Sequence, residues 1–343
     1  MRNQEQERLA PDMISGDRRP INTDPREQPQ REGWQFGGAV APAPRQKRNP
    51  WYWMIVGVVI LVVIFGGLSV AGLLLSRTVT ETRTFSVSAQ PALVLTEGNG
   101  SVHLQSGPAG QITVVAHKHI FAGNTDQVAI HYTLSGDDKT LTVSTDDGNN
   151  GLINLFSWNV GVDFDVTAPG ATNLNVKTGN GSVESHGITG QMQLSSGNGS
   201  ISTDGGSGQI TLTAGNGSIQ ATGVNGLMTI QAGNGSVTVL NARASGASTF
   251  HSGNGSITFS GSLDANNGNY LFDTGNGSID LTLPAATSMR LHSSIGNGSF
   301  TSDFPGVPSL QNGGILDIAV GSAPFALVTL HDGNGSIQLY QGG

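Results

Sequence analysis

Short stretches of alternating apolar and polar residues begin near Thr84 and continue to the end of the chain. Ile112, Val114 and Ala116 form one such run; Val128, Ile130, Tyr132 and Leu134 form another; Val160, Val162, Phe164 and Val166 a third. Turn clusters such as Ser135-Gly136-Asp137-Asp138 separate them. Successive side chains of a strand point to opposite faces, so a period of two bounded by Gly and Asp predicts half-buried β-strands.

A repeat is superposed on this alternation. Gly-Asn-Gly-Ser occurs nine times, with its asparagines at Asn99, Asn180, Asn198, Asn216, Asn234, Asn254, Asn276, Asn297 and Asn334. From Gly179 onward the steps are 18, 18, 18, 20, 22, 21 and 37 residues, and the last is long enough for two units, one without the motif. The residue after each Ser is apolar in every copy: Val102, Val183, Ile201, Ile219, Val237, Ile257, Ile279, Phe300 and Ile337. Three residues before the first Gly is a second apolar site, Leu95, Val176, Leu194, Leu212, Ile230, Phe250, Phe272 and Leu330, with Ser293 the exception. Five residues before it is a third, broken only by Ser248. Each unit therefore reads as strand, Gly-Asn-Gly turn, strand, since Gly accepts positive φ and Asn tolerates it. One unit buries too little to fold alone, so copies must stack. Equal step lengths favour a β-solenoid of about 18–22-residue coils over an antiparallel meander. In it Asn180, Asn198, Asn216 and Asn234 would form a side-chain ladder, leaving the asparagines poorly exposed. The chain ends soon after Ile337–Tyr340, which predicts an open terminal coil available for end-to-end pairing.

On these residues the chain resembles the bacterial putative-adhesin family with β-strand repeats, as a membrane-anchored member. Thr84-Phe85-Ser86-Val87, the run Val162 to Pro169, Leu174-Asn175-Val176 and the Gly-Asn-Gly-Ser-Val copies at Gly98 and Gly179 carry the resemblance, which spans roughly residues 84–341. It implies a solenoid-like fold and an envelope location, and brings no catalytic residues.

The N-terminal quarter has another character. Trp51 to Leu75 holds no charge and is dominated by Val, Ile, Leu and Gly, long enough for one membrane span as a retained signal-anchor. Arg45, Lys47 and Arg48 crowd its N-terminal flank, which orients the N-terminus to the cytoplasm and the C-terminal domain outside. Residues 1–49, rich in Arg, Gln, Glu and Pro, read as a disordered cytoplasmic tail. The expected organisation is thus tail 1–49, transmembrane helix 50–76, stalk 77–84 and an all-β repeat ectodomain 85–343.

Charge and composition narrow the partners. Net charge is −8, and the acidity is concentrated beyond the anchor, which argues against nucleic acid. The chain has no cysteine, so disulfides, thiolate metal sites and cysteine nucleophiles are excluded. Nine Asn-Gly-Ser triplets match the N-glycosylation pattern, and turn chemistry explains them. Asp146 to Gly151 is only a distant echo of a calcium loop, because Gly148 and Ser157 stand at ligand positions. Asp163 and Asp165 share an outward face, the one candidate carboxylate pair for a polysaccharide-active enzyme. His117 and His119 also share a face, without an acidic partner at local spacing. No residue set calls for a metal or cofactor. The expected function is a non-enzymatic, membrane-anchored interaction module, adhesin-like, with a cell-wall, glycan or protein-surface ligand. The alternatives are an envelope-stress or signalling accessory with the tail as output, and a polysaccharide-active solenoid enzyme.

Overall fold

The computed structural model describes residues 54–55, 57–61, 76–121, 128–147, 161–266 and 268–342. The expected tail lies outside them, as does most of the expected membrane span. Residues 54–55 and 57–61 are helical, and among the described residues no helix is long and apolar enough to cross a membrane.

From Ser76 onward the described chain is all-β. The first seven strands are β1 (Ser76–Ser86), β2 (Ala92–Glu97), β3 (Val102–Gly107), β4 (Gln111–Phe121), β5 (Val128–Leu134), β6 (Thr140–Asp147) and β7 (Gly161–Pro169). The repeat supplies β8 (Asn173–Thr178), β9 (Val183–His186), β10 (Met192–Ser196), β11 (Ile201–Asp204), β12 (Ser207–Ala214), β13 (Ile219–Thr222), β14 (Asn225–Ala232) and β15 (Val237–Ala244). It continues through β16 (Ala247–Ser252), β17 (Ile257–Leu263), β18 (Asn269–Thr274), β19 (Ile279–Pro284) and β20 (Met289–Ser302). The chain closes with β21 (Leu310–Gln311), β22 (Gly314–Val320) and β23 (Ala326–Gly342). Residues 77–84, expected as a stalk, lie within β1, which pairs antiparallel with β4 from Ser76↔Phe121 to Ser86↔Gln111.

Equivalent positions of successive copies pair in parallel. Met192 faces both Leu174 and Ile210, and Ile201 faces both Val183 and Ile219. The strands before the turns make one row and those after them a second. All three apolar sites point inward: Leu194, Leu212, Ile230 and Phe250 are buried, as are Ile201, Ile219, Val237 and Ile257. Phe250, Phe259 and Phe272 form one aromatic cluster, with Phe250 stacked on Phe272 at 4.6 Å between centroids. The exceptional Ser248 is buried too, and its hydroxyl accepts from Met228 N and donates to Ser245 O.

The solenoid expectation is corrected here. The parallel pairings β14–β15, β15–β17, β17–β19, β19–β23, β23–β18, β18–β16 and β16–β14 return to their starting point. They close a seven-strand parallel barrel, to which the other strands are added. The reason is local. β15 passes a register irregularity against β17 between Val239 and Ala242, with Asn241 at φ 53°. Beyond it the end of β15 pairs with the start of β14, Asn225 with Arg243 and Gly226 with Ala244, in the same 18-residue register as Ile219↔Val237 to Thr222↔Leu240. On its other side Gly226 lies against β12: its φ is 129°, and a Cβ there would overlap the carbonyl of its register partner Gly208.

Stacking order also departs from chain order at both ends. β2 and β3 pair with β8 and β9 on one side, and with β6 and β7 on the other. The 37-residue step contains no second parallel unit. It makes β21 and β22, which pair antiparallel with β20. The C-terminal β23 is not an open end: it lies between β18 and β19 on one side and β20 on the other.

Because Met192, Ile210 and Met228 are interchangeable members of one column, one 18-residue step can be removed without exposing core. A chain lacking residues 197–214 is expected to unfold in one cooperative transition, within several degrees of the parent midpoint, as read by circular dichroism. Loss of the transition would show that the copies are not equivalent.

Candidate interaction surface

The turns form one ridge. Asn180 Nδ2 donates to Asn99 Oδ1 at 2.6 Å, Asn198 to Asn180 at 2.6 Å, Asn216 to Asn198 at 2.6 Å and Asn234 to Asn216 at 2.6 Å. The series runs on through Asn254, Asn276, Asn334 and Asn297 at 2.7 to 3.0 Å. All nine asparagines belong to one ladder, and all nine residues are exposed, contrary to the expected poor exposure. Backbone amides pair in the same direction, Asn198 N to Gly179 O and Asn216 N to Gly197 O, each at 3.0 Å. The glycines stack backbone on backbone; a Cβ on Gly217 would overlap the carbonyl of Gly199.

Beneath the ridge runs an inward column: Glu97, Thr178, Ser196, Ala214, Ala232, Ser252, Thr274, Asp332 and Ile295. Its hydroxyls bond the turns. Ser196 Oγ donates to Gly181 O and accepts from Gly199 N; Ser252 does the same with Gly235 O and Gly255 N; Thr274 donates to Gly255 O. Glu97 accepts from Asn99 N and from Thr178 Oγ1. Asp332 is the odd member. It is fully buried and neither carboxylate oxygen closes a hydrogen bond. Burial pushes its carboxyl up from the ordinary 3.8 to about 6, against the pull of the Asn334 amide and of His331.

Outward positions form polar rows across adjacent strands. Glu184, Ser202, Gln220, Thr238, Thr258, Asp280 and Gln338 are register partners in sequence. On the other row of strands Asn175, Gln193, Thr211, Thr229 and Thr249 do the same. Val94, Asn175, Gln193, Thr211, Thr140 and Gln209 help line a shallow open groove of about 390 Å³ there.

Histidines and acids meet on these outer faces, as sequence spacing did not foretell. The antiparallel β4–β7 pairing sets His117 Nε2 2.9 Å from Asp165 and His119 Nε2 2.8 Å from Asp163. Thr80 and Thr78 meet the other nitrogens of these rings, and Ser101 N donates to Asp163. Asp273 binds both His251 and His331 at 2.7 Å, and Asp317 binds His292 at 2.8 Å. Asp163 and Asp165 therefore sit beside one another on one strand, each with a histidine, rather than on facing walls. No three such donors are placed to hold one metal ion among the described residues. The weak calcium-loop match falls largely outside them.

Fold and surface together define an all-β repeat protein with a turn ridge and polar outer rows. Solved structures that match it are those of a putative cell adhesion protein from Clostridium sporogenes and a putative adhesin from Bacteroides fragilis. The first is 13% identical, covers 78% of this chain and 100% of its own, with a TM-score of 0.26. The second is 16% identical and covers 76% and 97%, with a TM-score of 0.37. A putative adhesin from Parabacteroides merdae is 11% identical and covers 76% and 95%, also at 0.37. No family model and no curated relative matches the chain.

Two predictions follow from the ridge and its buried column. Asn216→Ala removes two ladder bonds and should cost about 1–2 kcal/mol in denaturant unfolding, and Asn99→Ala, at the ladder's end, about half as much. Gly217→Ala should cost more than about 3 kcal/mol, because two backbones must separate; equal losses for Asn216→Ala and Gly217→Ala would refute the close-approach argument.

The Asp332 carboxyl is protonated in the folded chain, and ionised in the unfolded chain, between pH 3.8 and about 6. Stability contributed by this proton is present at pH 4 and lost as the pH rises through 6. Asp332→Asn should therefore stabilise the chain at pH 7.5 by on the order of 1–3 kcal/mol and leave it nearly unchanged at pH 4. Thermal midpoints across this range check it; a gain independent of pH would sink the assignment.

Proposed function

We propose that this chain is a non-enzymatic, adhesin-like interaction module displayed on the outer side of the cell membrane, with its N-terminus in the cytoplasm. The observation that carries the reading is the outward row Glu184–Ser202–Gln220–Thr238–Thr258–Asp280–Gln338. Seven consecutive strands each present one hydrogen-bonding side chain, roughly 4.8 Å apart, on a surface held rigid from beneath. Such a surface suits an extended ligand with repeated hydroxyl or amide groups, as in a glycan, a cell-wall polymer or a protein edge. Individual contacts are weak, and many in register supply affinity without an enclosed pocket. The uncharged stretch from Trp51 to Leu75, with basic residues on its N-terminal side, supports the location.

The test is co-sedimentation of the full-length chain, in detergent, with cell-wall polymer, insoluble polysaccharides and intact cells. At least one of them is expected to bind, and replacing Ser202, Gln220, Thr238 and Thr258 by Ala should weaken that binding by roughly tenfold or more. Failure to bind any of them, or binding indifferent to the row, would overturn the reading.

A further inference from the structure

The place of β23 is set by topology rather than by chain order. β20 follows β19 after only four residues, 285–288. Its Gly296 lies 21 residues after Gly275, a step like those whose copies stack directly on one another. Yet β20 does not pair with β18 or β19. It stands one strand away, and β23 fills the gap. Leu330 has Phe272 on one side and Ser293 on the other; Ile337 has Ile279 and Phe300; Asn334 donates to Asn276 and accepts from Asn297.

β23 is thus seated between two edges that both precede it in the chain. Each edge offers parallel pairing and an apolar column specific for a strand of this kind. Nothing in the register distinguishes a β23 from the same chain from one belonging to another. The tether is short: residues 321–325 carry the chain from β22, on one edge of β20, to β23 on the opposite edge. A strand held by so short a connection can exchange between copies at little cost, since every contact is recovered.

We propose that the slot between β18–β19 and β20 accepts the β23 of a second copy of this chain, joining copies by strand exchange during folding. The partner is the chain itself because the slot selects a strand with inward Val328, Leu330, Ile337 and Leu339 and a Gly-Asn-Gly-Ser turn between them, and β23 is that strand. The inference stands on the fold and does not depend on the proposed ligand binding.

The chain has no cysteine, which makes a clean test available. Leu271 and Thr329 are register partners facing outward across β18 and β23. Paired parallel residues lie within the distance a disulfide spans. Full-length chains carrying only Leu271→Cys are unfolded with chains carrying only Thr329→Cys, refolded together in detergent at increasing concentration, and oxidised. A 271–329 linked peptide between chains is expected by mass spectrometry, its share rising with concentration. The double variant, refolded dilute, should form the same link within one chain and so report a correctly built slot. Absence of the interchain link at every concentration, with the intrachain link formed, overturns the proposal. Arg290→Cys with Leu327→Cys, partners across β20 and β23, gives a second pair read the same way should the first fail to link in the double variant.

Discussion

One contact governs this molecule: the approach of one Gly-Asn-Gly backbone onto the next. At that spacing no side chain fits at either glycine, as Gly199 on Gly181 and Gly217 on Gly199 show. The asparagine between them meets an identical residue and bonds to it. Glycine is imposed by space, and asparagine by the need to satisfy itself. Its amide is both donor and acceptor, so identical copies can form a chain of bonds of any length. Aspartate could not do this without protonation. The hydroxyls of Ser196, Ser252 and Thr274 then hold the turns from beneath, so the most regular part of the chain is fastened on two sides.

Irregular step lengths are absorbed away from this contact. The 20-residue step places its two extra residues between Ala244 and Thr249, where β14 has only Leu227 and Met228. The 22-residue step spends its surplus around Asp264, where the buried Tyr270 hydroxyl accepts from Asp264 N and has Ala244 O and Asp264 O, both at 3.0 Å, as acceptors for its one proton. Both adjustments leave the asparagine ladder unbroken at 2.7 and 3.0 Å. Before the first insertion the end of β15 pairs with the start of β14, and that pairing closes the ring.

The apolar columns were legible because burial demands them: the residue after each Ser and the one three before each motif are inward in the described fold. The strand–turn–strand unit followed from the same pattern. Closure and stacking order did not. Nine near-identical copies carry almost no information about which neighbour each prefers, and the step from Gly275 to Gly296 fits a direct stack as well as any other. Antiparallel additions were hidden for a different reason. Alternation looks the same in parallel and antiparallel strands, so β4 against β7, and with it the pairing of His117 and His119 with Asp165 and Asp163, could not be read from local spacing. β1 was misleading because Thr, Arg and Glu alternate there without a buried column, which resembles a stalk until β4 is placed beside it. Asp332 looked like any polar residue before a turn; only its place in the Ser/Thr column shows that it is buried.

Since turns and inward columns are committed to holding copies together, chemical variety is confined to the outward rows and the two ends. The rows follow from stacking: any polar residue placed outward in one strand becomes a neighbour of its equivalents on either side, and Glu184, Ser202 and Gln220 are aligned for that reason. The ends obey another logic. A parallel stack terminates in unpaired backbone unless something covers it, and here β1, β4 and β5 stand at one end and β21 and β22 at the other, all antiparallel. An antiparallel strand breaks the ladder's register, so no further copy can continue the turn ridge beyond it. The same repetition that makes the stack stable makes its members interchangeable, which is why β23 can be seated between β19 and β20 out of chain order.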